Sequence, residues 1–183
     1  MVIADMDMRF KQAVTPWRPR TRINPNGTPA FSSGQGPYSY DVRLGTSIKV
    51  PNLTKIEVLD PKNIATDDWT TLDITEPGYY DLQAHSTMLA SIEEYLAIPE
   101  DCLAIFIGKS SYARCSVHPH ITPGEPAWRG HLVIEIANML HRPVRLYTGE
   151  GIAAMILLLG DDIPALAYEG VYQDQKKLST TRV

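Results

Sequence analysis

The chain has 183 residues, 44% hydrophobic and 21% charged, with a formal net charge of −4. That size fits one domain with a sizeable core, the acidic balance argues against a general nucleic-acid binder, and no apolar run approaches the roughly 20 residues of a membrane span. Two cysteines, Cys102 and Cys115, are too few for a disulfide framework or a zinc cage. The first residues lack the basic region of a secretory signal, so we expect a cytoplasmic protein.

The N-terminal part of the chain differs in composition from the rest. Residues 4–14 predict a short amphipathic helix. Residues 15–36 are rich in Pro, Gly, Asn and Ser and predict irregular chain. Residues 1–36 are therefore expected to be an irregular segment packed on a domain that covers 37–183. The basic cluster at 17–22 is interpreted as a solvated loop, because a nucleic-acid footprint is normally larger.

Short apolar or alternating runs, separated by Pro, Gly, Asn or Asp, follow this segment. Many short strands at such spacing are typical of an all-β sandwich or barrel. The predicted strands are 38–44, 48–50, 55–59, 79–82, 87–96, 103–107, 132–137, 144–147 and 152–159. The last is apolar on both faces, which indicates a strand buried on both sides or a strand at a subunit interface, with a short buried helix as the alternative.

A polar stretch follows the predicted strand at 103–107. It reads Gly108-Lys109-Ser110-Ser111-Tyr112-Ala113-Arg114 and places a turn-forming glycine, two hydroxyls and two cations within seven residues. Backbone N–H groups, hydroxyl donors and cations at one point suit a ligand that carries phosphate. The spacing of a Walker A loop is missing, and a stretch like this, taken alone, is more often a solvated turn.

Several motifs in a fixed order give the chain a specific resemblance. They are Thr87-Met88-Leu89-Ala90-Ser91-Ile92-Glu93-Glu94-Tyr95, the stretch from Gly108 to Cys115, the run from Thr122 to Asn138, Glu150-Gly151-Ile152-Ala153 and Tyr172-Gln173-Asp174-Gln175. Together they resemble the dCTP deaminase family of the dUTPase-like superfamily over roughly residues 37–178. The resemblance implies a mainly β, dUTPase-like distorted barrel that is jelly-roll-like and has short helices. It also implies a homotrimer with sites between subunits that hydrolyses dCTP to dUTP and ammonia.

Glu135 is the first candidate catalytic residue. It lies in the alternation Leu132-Val133-Ile134-Glu135-Ile136, where a carboxylate is costly to desolvate and should be partnered or have a raised pKa. A salt bridge to a neighbouring arginine would also explain it. The resemblance implies that Glu135 is the general acid and base, that Ser110 and the carbonyl of Pro123 hold the water, and that Arg114 supports the glutamate. It implies no metal at the base, and the zinc-deaminase pattern His-x-Glu with Pro-Cys-x-x-Cys is missing from the sequence.

The resemblance also implies a set of residues that bind the nucleotide. They are Lys109, Ser110, Ser111, Tyr112, Ala113, Arg114, Pro123, Glu125, Val133, Ile134, Glu135, Tyr168 and Gln175. The first three would cradle the triphosphate, and Mg²⁺ would bridge the phosphate oxygens and keep most of its waters, so no dedicated protein cage is expected. The substrate is expected to be dCTP, with dTTP as a candidate inhibitor and neither nucleic acid nor membrane as partner.

Departures from the family pattern leave alternatives open. Val171 stands where a phosphate-contacting lysine is usual, Ala154 replaces a glutamine, and the segment after Tyr168 is shortened. The tail from about 168 to 183 is expected to be mobile and to fold over the nucleotide. Glu125 occupies the place of an acidic residue near the deoxyribose, which leaves open a dUTPase or a bifunctional enzyme that also releases pyrophosphate. A nucleotide-binding regulator without turnover is the third hypothesis.

Overall fold

The structure is a computed structural model that describes residues 1–76, 78–176 and 178–181, and of Phe10 the backbone alone. No helix in these ranges has the length and apolar character to cross a membrane. The elements are α1 (Asp5–Phe10), β1 (Val14–Thr15), β2 (Thr21–Ile23), β3 (Pro29–Gln35), β4 (Tyr40–Pro51), β5 (Trp69–Asp73), β6 (Tyr79–Leu82), β7 (Thr87–Ile92), β8 (Tyr95–Ala97), β9 (Cys102–Gly108), α2 (Ser110–Ala113), β10 (Val117–His120), β11 (Arg129–Gly130), β12 (Val133–Asn138), β13 (Val144–Tyr147) and β14 (Gly151–Leu159).

The longest strand, β4, joins the two halves of the main sheet. Neighbouring strands follow the order β10-β12-β7-β4-β14-β9, and β3 and β5 also pair with β4. The first half of β4 pairs with β3 and β14, and the second half pairs with β5 and β7. The register with β7 shifts between Leu44 and Ile48. Gly45 lies at this shift, where a Cβ atom would come within 2.8 Å of the Ser91 carbonyl oxygen. The mainly β, barrel-like fold expected from the sequence is confirmed, with the main sheet curled into a half-barrel.

The core lies inside the curled sheet and is built from alternate residues of its strands. On β12 the core face carries Ile134 and Ile136, and on β14 it carries Ile152, Met155 and Leu157. Each such side chain contributes about 1.5–3 kcal/mol through burial. The stretch at 152–159 is therefore a strand, paired on one side with β4 and on the other with β9, and the alternative of a buried helix is wrong.

The expectation of irregular chain over residues 15–36 is also wrong. Strands β2 and β3 form a hairpin there, and β3 continues onto β4 through the pair Gly34 and Asp41. Proline and glycine concealed this strand, because Pro29 occupies its first position, where no ladder donor is needed. Gly34 has φ +84°, and a Cβ atom there would collide with backbone atoms of Arg18 and Pro19. Helix α1 covers only part of the range 4–14 that was predicted to be helical.

Other strand boundaries differ from the predicted ones. Residues 55–59 form turns rather than a strand, and Val58 is 81% exposed. The runs at 38–44 and 48–50 belong to one continuous strand, and 87–96 divides into β7 and β8. Strands β5 and β10 were not predicted. β10 contains a proline, which is tolerated because this strand lies at the end of the sheet order.

A buried ion pair ties β4 to the turn between β7 and β8. Glu94 is fully buried in that turn, and one of its oxygens accepts a hydrogen bond from the Arg43 Nε at 2.7 Å. The other oxygen accepts one from the Arg43 backbone N–H at 2.9 Å. Arg43 also pairs with Glu93. Burial raises the pKa of Glu94, so this carboxylate depends on Arg43 to remain ionised.

We expect Arg43→Met to destabilise the fold by about 3–5 kcal/mol, because it leaves the Glu94 carboxylate buried without its partner. The matched control is Arg145→Met, which breaks the exposed pair between Arg145 and Asp81 and should have a much smaller effect. Urea denaturation measures the free energy of unfolding of both variants. Equal losses of unfolding free energy in the two variants would show that burial does not increase the effect of breaking the pair between Arg43 and Glu94.

Candidate active site

A cavity of about 510 Å³ opens over one face of β12. Glu135 lies on its floor, and Val133 lies beside it. The segment at 123–125 forms one wall, residues of the 52–68 loop form another, and the C-terminal tail forms a third. The residues predicted as site residues that line this cavity are Pro123, Glu125, Val133, Glu135, Tyr168 and Gln175. The structure therefore brings together about half of the predicted site.

Strand alternation decides which residues of β12 reach the cavity. Val133 and Glu135 point to the cavity side, whereas Ile134 has no exposed surface and points into the core. The predicted contact of Ile134 with a nucleotide can therefore involve only its backbone. The same alternation places Glu135 between Leu89 of β7 and His120 of β10, its partners across the two neighbouring strands.

The Glu135 carboxyl has the electrostatics of a group with a tuned pKa. It remains open to solvent on the cavity floor, and it forms no ion pair with any residue that the structure describes. The alternative of a salt bridge to a described arginine is therefore wrong. Desolvation by the surrounding protein raises the pKa of Glu135, and the nearby His120 opposes that rise. The raised pKa expected from the sequence is confirmed.

The stretch after β9 folds into the single helical turn α2, with Lys109 at its N-cap position. Ser110, Ala113 and Arg114 are exposed on this turn. Tyr112 is a core side chain that is 2% exposed, and its hydroxyl accepts a hydrogen bond from the Tyr147 N–H at 3.2 Å. Burial raises the pKa of the Tyr112 hydroxyl. The buried Tyr112 side chain therefore cannot make the predicted contact with a nucleotide at the surface.

The residues of this stretch do not line the Glu135 cavity. Lys109 points instead toward β3 and β4, where its ammonium lies 2.5 Å from an Asp41 carboxylate oxygen and 2.7 Å from the Ser32 Oγ. The side chains of Lys109 and Asp41 are only 12% and 8% exposed. Within this chain, then, the predicted site is divided between two places, the Glu135 cavity and the outer surface of α2.

The C-terminal tail is docked along β11. The His131 N–H donates to the Gln175 carbonyl at 2.8 Å, and the Asp174 N–H donates to the Arg129 carbonyl at 2.9 Å. Gln175 is buried, and its side-chain Nε2 donates to the His131 carbonyl at 3.0 Å. The Trp128 indole donates to the Tyr172 carbonyl at 3.0 Å. These bonds hold Gln175 in the wall of the cavity.

The 52–68 loop and the start of β5 supply cavity residues that the sequence did not reveal. Leu59, Ile64 and Trp69 line the wall, and the indole nitrogen of Trp69 is buried without a hydrogen-bond partner among the described residues. The available signal was the presence of large apolar side chains in an otherwise polar loop, which was instead interpreted in part as a strand at 55–59.

No three His, Cys, Asp or Glu side chains of the described ranges come together as a metal site.

The chain is similar in sequence to proteins described as dCTP deaminases. A family model described as dCTP deaminase-like matches residues 10–159. A dCTP deaminase of Helicobacter pylori is 36% identical over 160 residues, which cover 86% of this chain and 85% of the relative. A dCTP deaminase of Acinetobacter baumannii is 36% identical over 159 residues, 85% of this chain and 82% of the relative.

One solved structure shares the fold. The crystal structure of the 2′-deoxycytidine 5′-triphosphate deaminase from Agrobacterium tumefaciens superposes with a TM-score of 0.61 at 17% sequence identity. The alignment covers 87% of this chain and 48% of that chain. At this identity the likeness concerns the fold, and it supports the barrel class predicted from the sequence.

The raised pKa of Glu135 predicts a stability effect with a definite sign. A carboxyl with a pKa higher in the folded than in the unfolded chain, where it is about 4.3, stabilises the fold below that value, and this contribution disappears as the pH rises through the folded pKa. We therefore expect Glu135→Gln to melt at a higher temperature than the wild type at pH 7, with the difference shrinking toward pH 4. Thermal melts across this range measure it.

The control for this effect is Glu100→Gln, an exposed glutamate that does not line the cavity. It should leave the pH dependence of the melting temperature as it is in the wild type. A Glu135→Gln variant that melts below the wild type at pH 7 contradicts the assignment of Glu135 as a desolvated carboxylate.

Proposed function

The chain belongs to the dCTP deaminase-like family, and from that premise we propose that it hydrolyses dCTP to dUTP and ammonia. The observation that carries the proposal is Glu135, a carboxyl with a raised pKa on the floor of a cavity that the tail encloses. A carboxyl whose pKa is raised gives up and accepts protons more readily as a general acid and base than one with an ordinary pKa. Within the cavity wall, the Gln175 Nε2 donates to the His131 carbonyl and its Oε1 accepts from the Ser179 Oγ, which leaves one N–H and one lone pair of the amide for the polar edge of a base.

The proposed reaction needs one carboxyl that moves several protons. Water attacks C4 of the cytosine as Glu135 accepts its proton, and that proton passes to ring N3. Glu135 then takes the proton of the new C4 hydroxyl and passes it to N4, the C4–N4 bond breaks as C4=O forms, and ammonia leaves with Glu135 restored as the carboxylate. Ser110 and the carbonyl of Pro123 are proposed to hold the attacking water, and Arg114 to support Glu135. This chemistry places no metal at the base.

The division of the site within one subunit favours a shared site between subunits of a homotrimer. Ser110 and Arg114 are exposed on α2, away from the cavity of their own chain. Large apolar side chains are exposed near this surface, among them Ile107 at 54% and Met139 at 61%. Such a surface suits a subunit contact. The burial of β14, in contrast, is accounted for within the subunit and supports no particular assembly.

The phosphates are proposed to bind at α2, where Ser110, Ser111 and Arg114 offer hydroxyl and guanidinium donors. Mg²⁺ would travel with the triphosphate and neutralise part of its charge, while these residues orient the phosphate chain. We expect dTTP to inhibit by binding at the same site, because dTTP carries the same triphosphate as dCTP.

Glu125 supports a second candidate function. It lines the cavity beside Pro123, with an exposed carboxylate on the same wall. A carboxylate there could activate water for attack on phosphorus, which would release pyrophosphate from the nucleotide as a dUTPase or a bifunctional enzyme does. A regulator that binds the nucleotide without turnover is the remaining alternative, and the presence of both Glu135 and Arg114 speaks against it.

The test is to measure ammonia and pyrophosphate released from one dCTP sample. We expect wild type to release ammonia and Glu135→Gln to lose at least about 10²-fold in rate while still binding dCTP, because glutamine keeps the shape but cannot accept a proton. The matched variant Glu125→Gln should retain ammonia release. Loss of pyrophosphate release in Glu125→Gln alone would establish the bifunctional alternative, and turnover of Glu135→Gln at the wild-type rate would remove Glu135 from the mechanism.

The tail is proposed to act as a lid that opens for the nucleotide and closes over it. Truncation after Gly170 removes the hydrogen bonds of Tyr172 and Gln175 that close the cavity wall. We therefore expect a higher KM and a lower kcat for dCTP, with the barrel still folded, because closure excludes water and completes the site. Steady-state kinetics and circular dichroism measure these effects.

The control is Ile163→Ala, which changes an exposed side chain of the loop before the tail and should leave both constants unchanged. A truncated chain with the KM and kcat of the wild type would show that the tail has no part in the reaction.

A further inference from the structure

The side chain of Lys109 has no hydrogen-bond donor left for a ligand. A lysine ammonium offers three donors. Here one reaches an Asp41 carboxylate oxygen at 2.5 Å, one reaches the Ser32 Oγ at 2.7 Å, and one reaches the Ser32 carbonyl at 3.1 Å. The Ser32 hydroxyl in turn donates to the same Asp41 oxygen at 3.0 Å. The cluster of Ser32, Asp41 and Lys109 is therefore closed.

The charge of Lys109 is also used within the cluster. The Asp41 side chain is 8% exposed, and among the described residues Lys109 is its only ion-pair partner. Moving the ammonium toward a phosphate would leave this buried carboxylate uncompensated, which is strongly unfavourable. The pair is neutral as a whole, so it adds little attraction for a polyanion. Arg114 has no buried carboxylate to compensate, because it is exposed on the same turn and forms no ion pair with the described residues.

The backbone of Lys109 connects the cluster to α2. Its N–H donates to the Ile152 carbonyl of β14 at 3.3 Å, and its carbonyl accepts from the Ala113 N–H at 3.0 Å. Side chain and backbone together join α2 to β3, β4 and β14. Gly151 permits this close approach, because a Cβ atom there would collide with the Ser32 carbonyl and contact the Lys109 stem.

We propose that Lys109 and Asp41 are positioning residues, whose buried ion pair fixes the start of α2 and thereby orients Ser110, Ser111 and Arg114, while Lys109 itself donates nothing to the phosphates. The proposal rests on the function proposed above and changes one part of it, the predicted phosphate contact of Lys109. Tyr112 anchors the other end of the turn. Its hydroxyl accepts a hydrogen bond from the Tyr147 N–H, and its ring centroid lies 4.7 Å from that of Phe31.

The test compares dCTP, dCDP and dCMP as substrates of wild type, Lys109→Met, Asp41→Asn and the double variant. A positioning pair predicts that each single variant lowers kcat by about 10- to 100-fold, and that Asp41→Asn reproduces the loss of Lys109→Met with each of the three nucleotides, because both variants release the same turn and the same ligand-binding groups on it. The double variant should be no worse than the worse single one, since the two residues act as a unit.

A direct phosphate contact predicts a different pattern. Lys109→Met would then lose more with dCTP than with dCMP, mainly through KM, and Asp41→Asn would not reproduce that loss. This result would overturn the proposal. So would additive losses in the double variant. Lys11→Met, which breaks the partly exposed pair with Asp101, is the matched control and should leave all three substrates unaffected.

Two further measurements keep the test decisive. Circular dichroism reports whether each variant folds. If Asp41→Asn does not fold, Ser32→Ala replaces it in the test, because this substitution removes the bridging hydroxyl and keeps the ion pair. Its loss in kcat should be smaller and should follow the pattern of Lys109→Met across the three nucleotides. If wild type releases no ammonia, the proposed function fails, and calorimetric dissociation constants for the three nucleotides then test the same ratios. A wild type that neither turns over nor binds dCTP overturns both proposals.

Discussion

The buried pair between Arg43 and Glu94 is the interaction on which the floor of the cavity and the wall formed by the tail depend. Arg43 lies on β4 just before the register shift, and Glu94 lies in the turn that joins β7 to β8. β7 carries β12 and therefore Glu135, whereas β8 carries β11 and therefore the docked tail. One ion pair thus fixes the strand that holds the Glu135 carboxyl relative to the strand that holds the docked tail. Because Glu94 has no access to water, this arrangement exists only while Arg43 compensates its charge.

Much of this architecture could be predicted from periodicity, and the exceptions have physical causes. The strands from Tyr79 onward follow runs that end at Pro, Gly, Asn or Asp, and the position of Glu135 in an apolar alternation indicated its raised pKa. The same alternation places Ile134 in the core, which makes its side chain a poor candidate for a substrate contact. β3 was not predicted because Gly34 and Pro29, which suggest a turn, serve close packing and a strand start there. The pairing of Lys109 could not be predicted without β3, since Ser32 belongs to that strand.

The polar stretch after β9 shows why neighbouring residues of one motif can have opposite roles. In the sequence its hydroxyls and cations appear equivalent. On a single helical turn, residues three apart share a face, so Lys109 and Tyr112 point inward together, whereas Ser110 and Ala113 point outward. The inward pair anchors the turn, and the outward residues remain available to a ligand or a neighbouring subunit. Which face is buried depends on Ser32, Asp41 and Phe31, which lie 68 or more positions away in the chain.

The docked tail has a further consequence for the behaviour of the chain in solution. Residues 174 and 175 bind β11 as an additional parallel strand, at the free side of the small sheet β1-β8-β11. Gly130 faces this strand with no side chain to obstruct it, since a Cβ atom would come within 2.8 Å of the Gln175 backbone nitrogen. In the proposed opening of the tail, β11 would present unpaired backbone groups at a sheet edge, where another extended chain can pair. Exchange of tails between neighbouring molecules at high concentration is therefore a hazard of holding the tail by backbone hydrogen bonds.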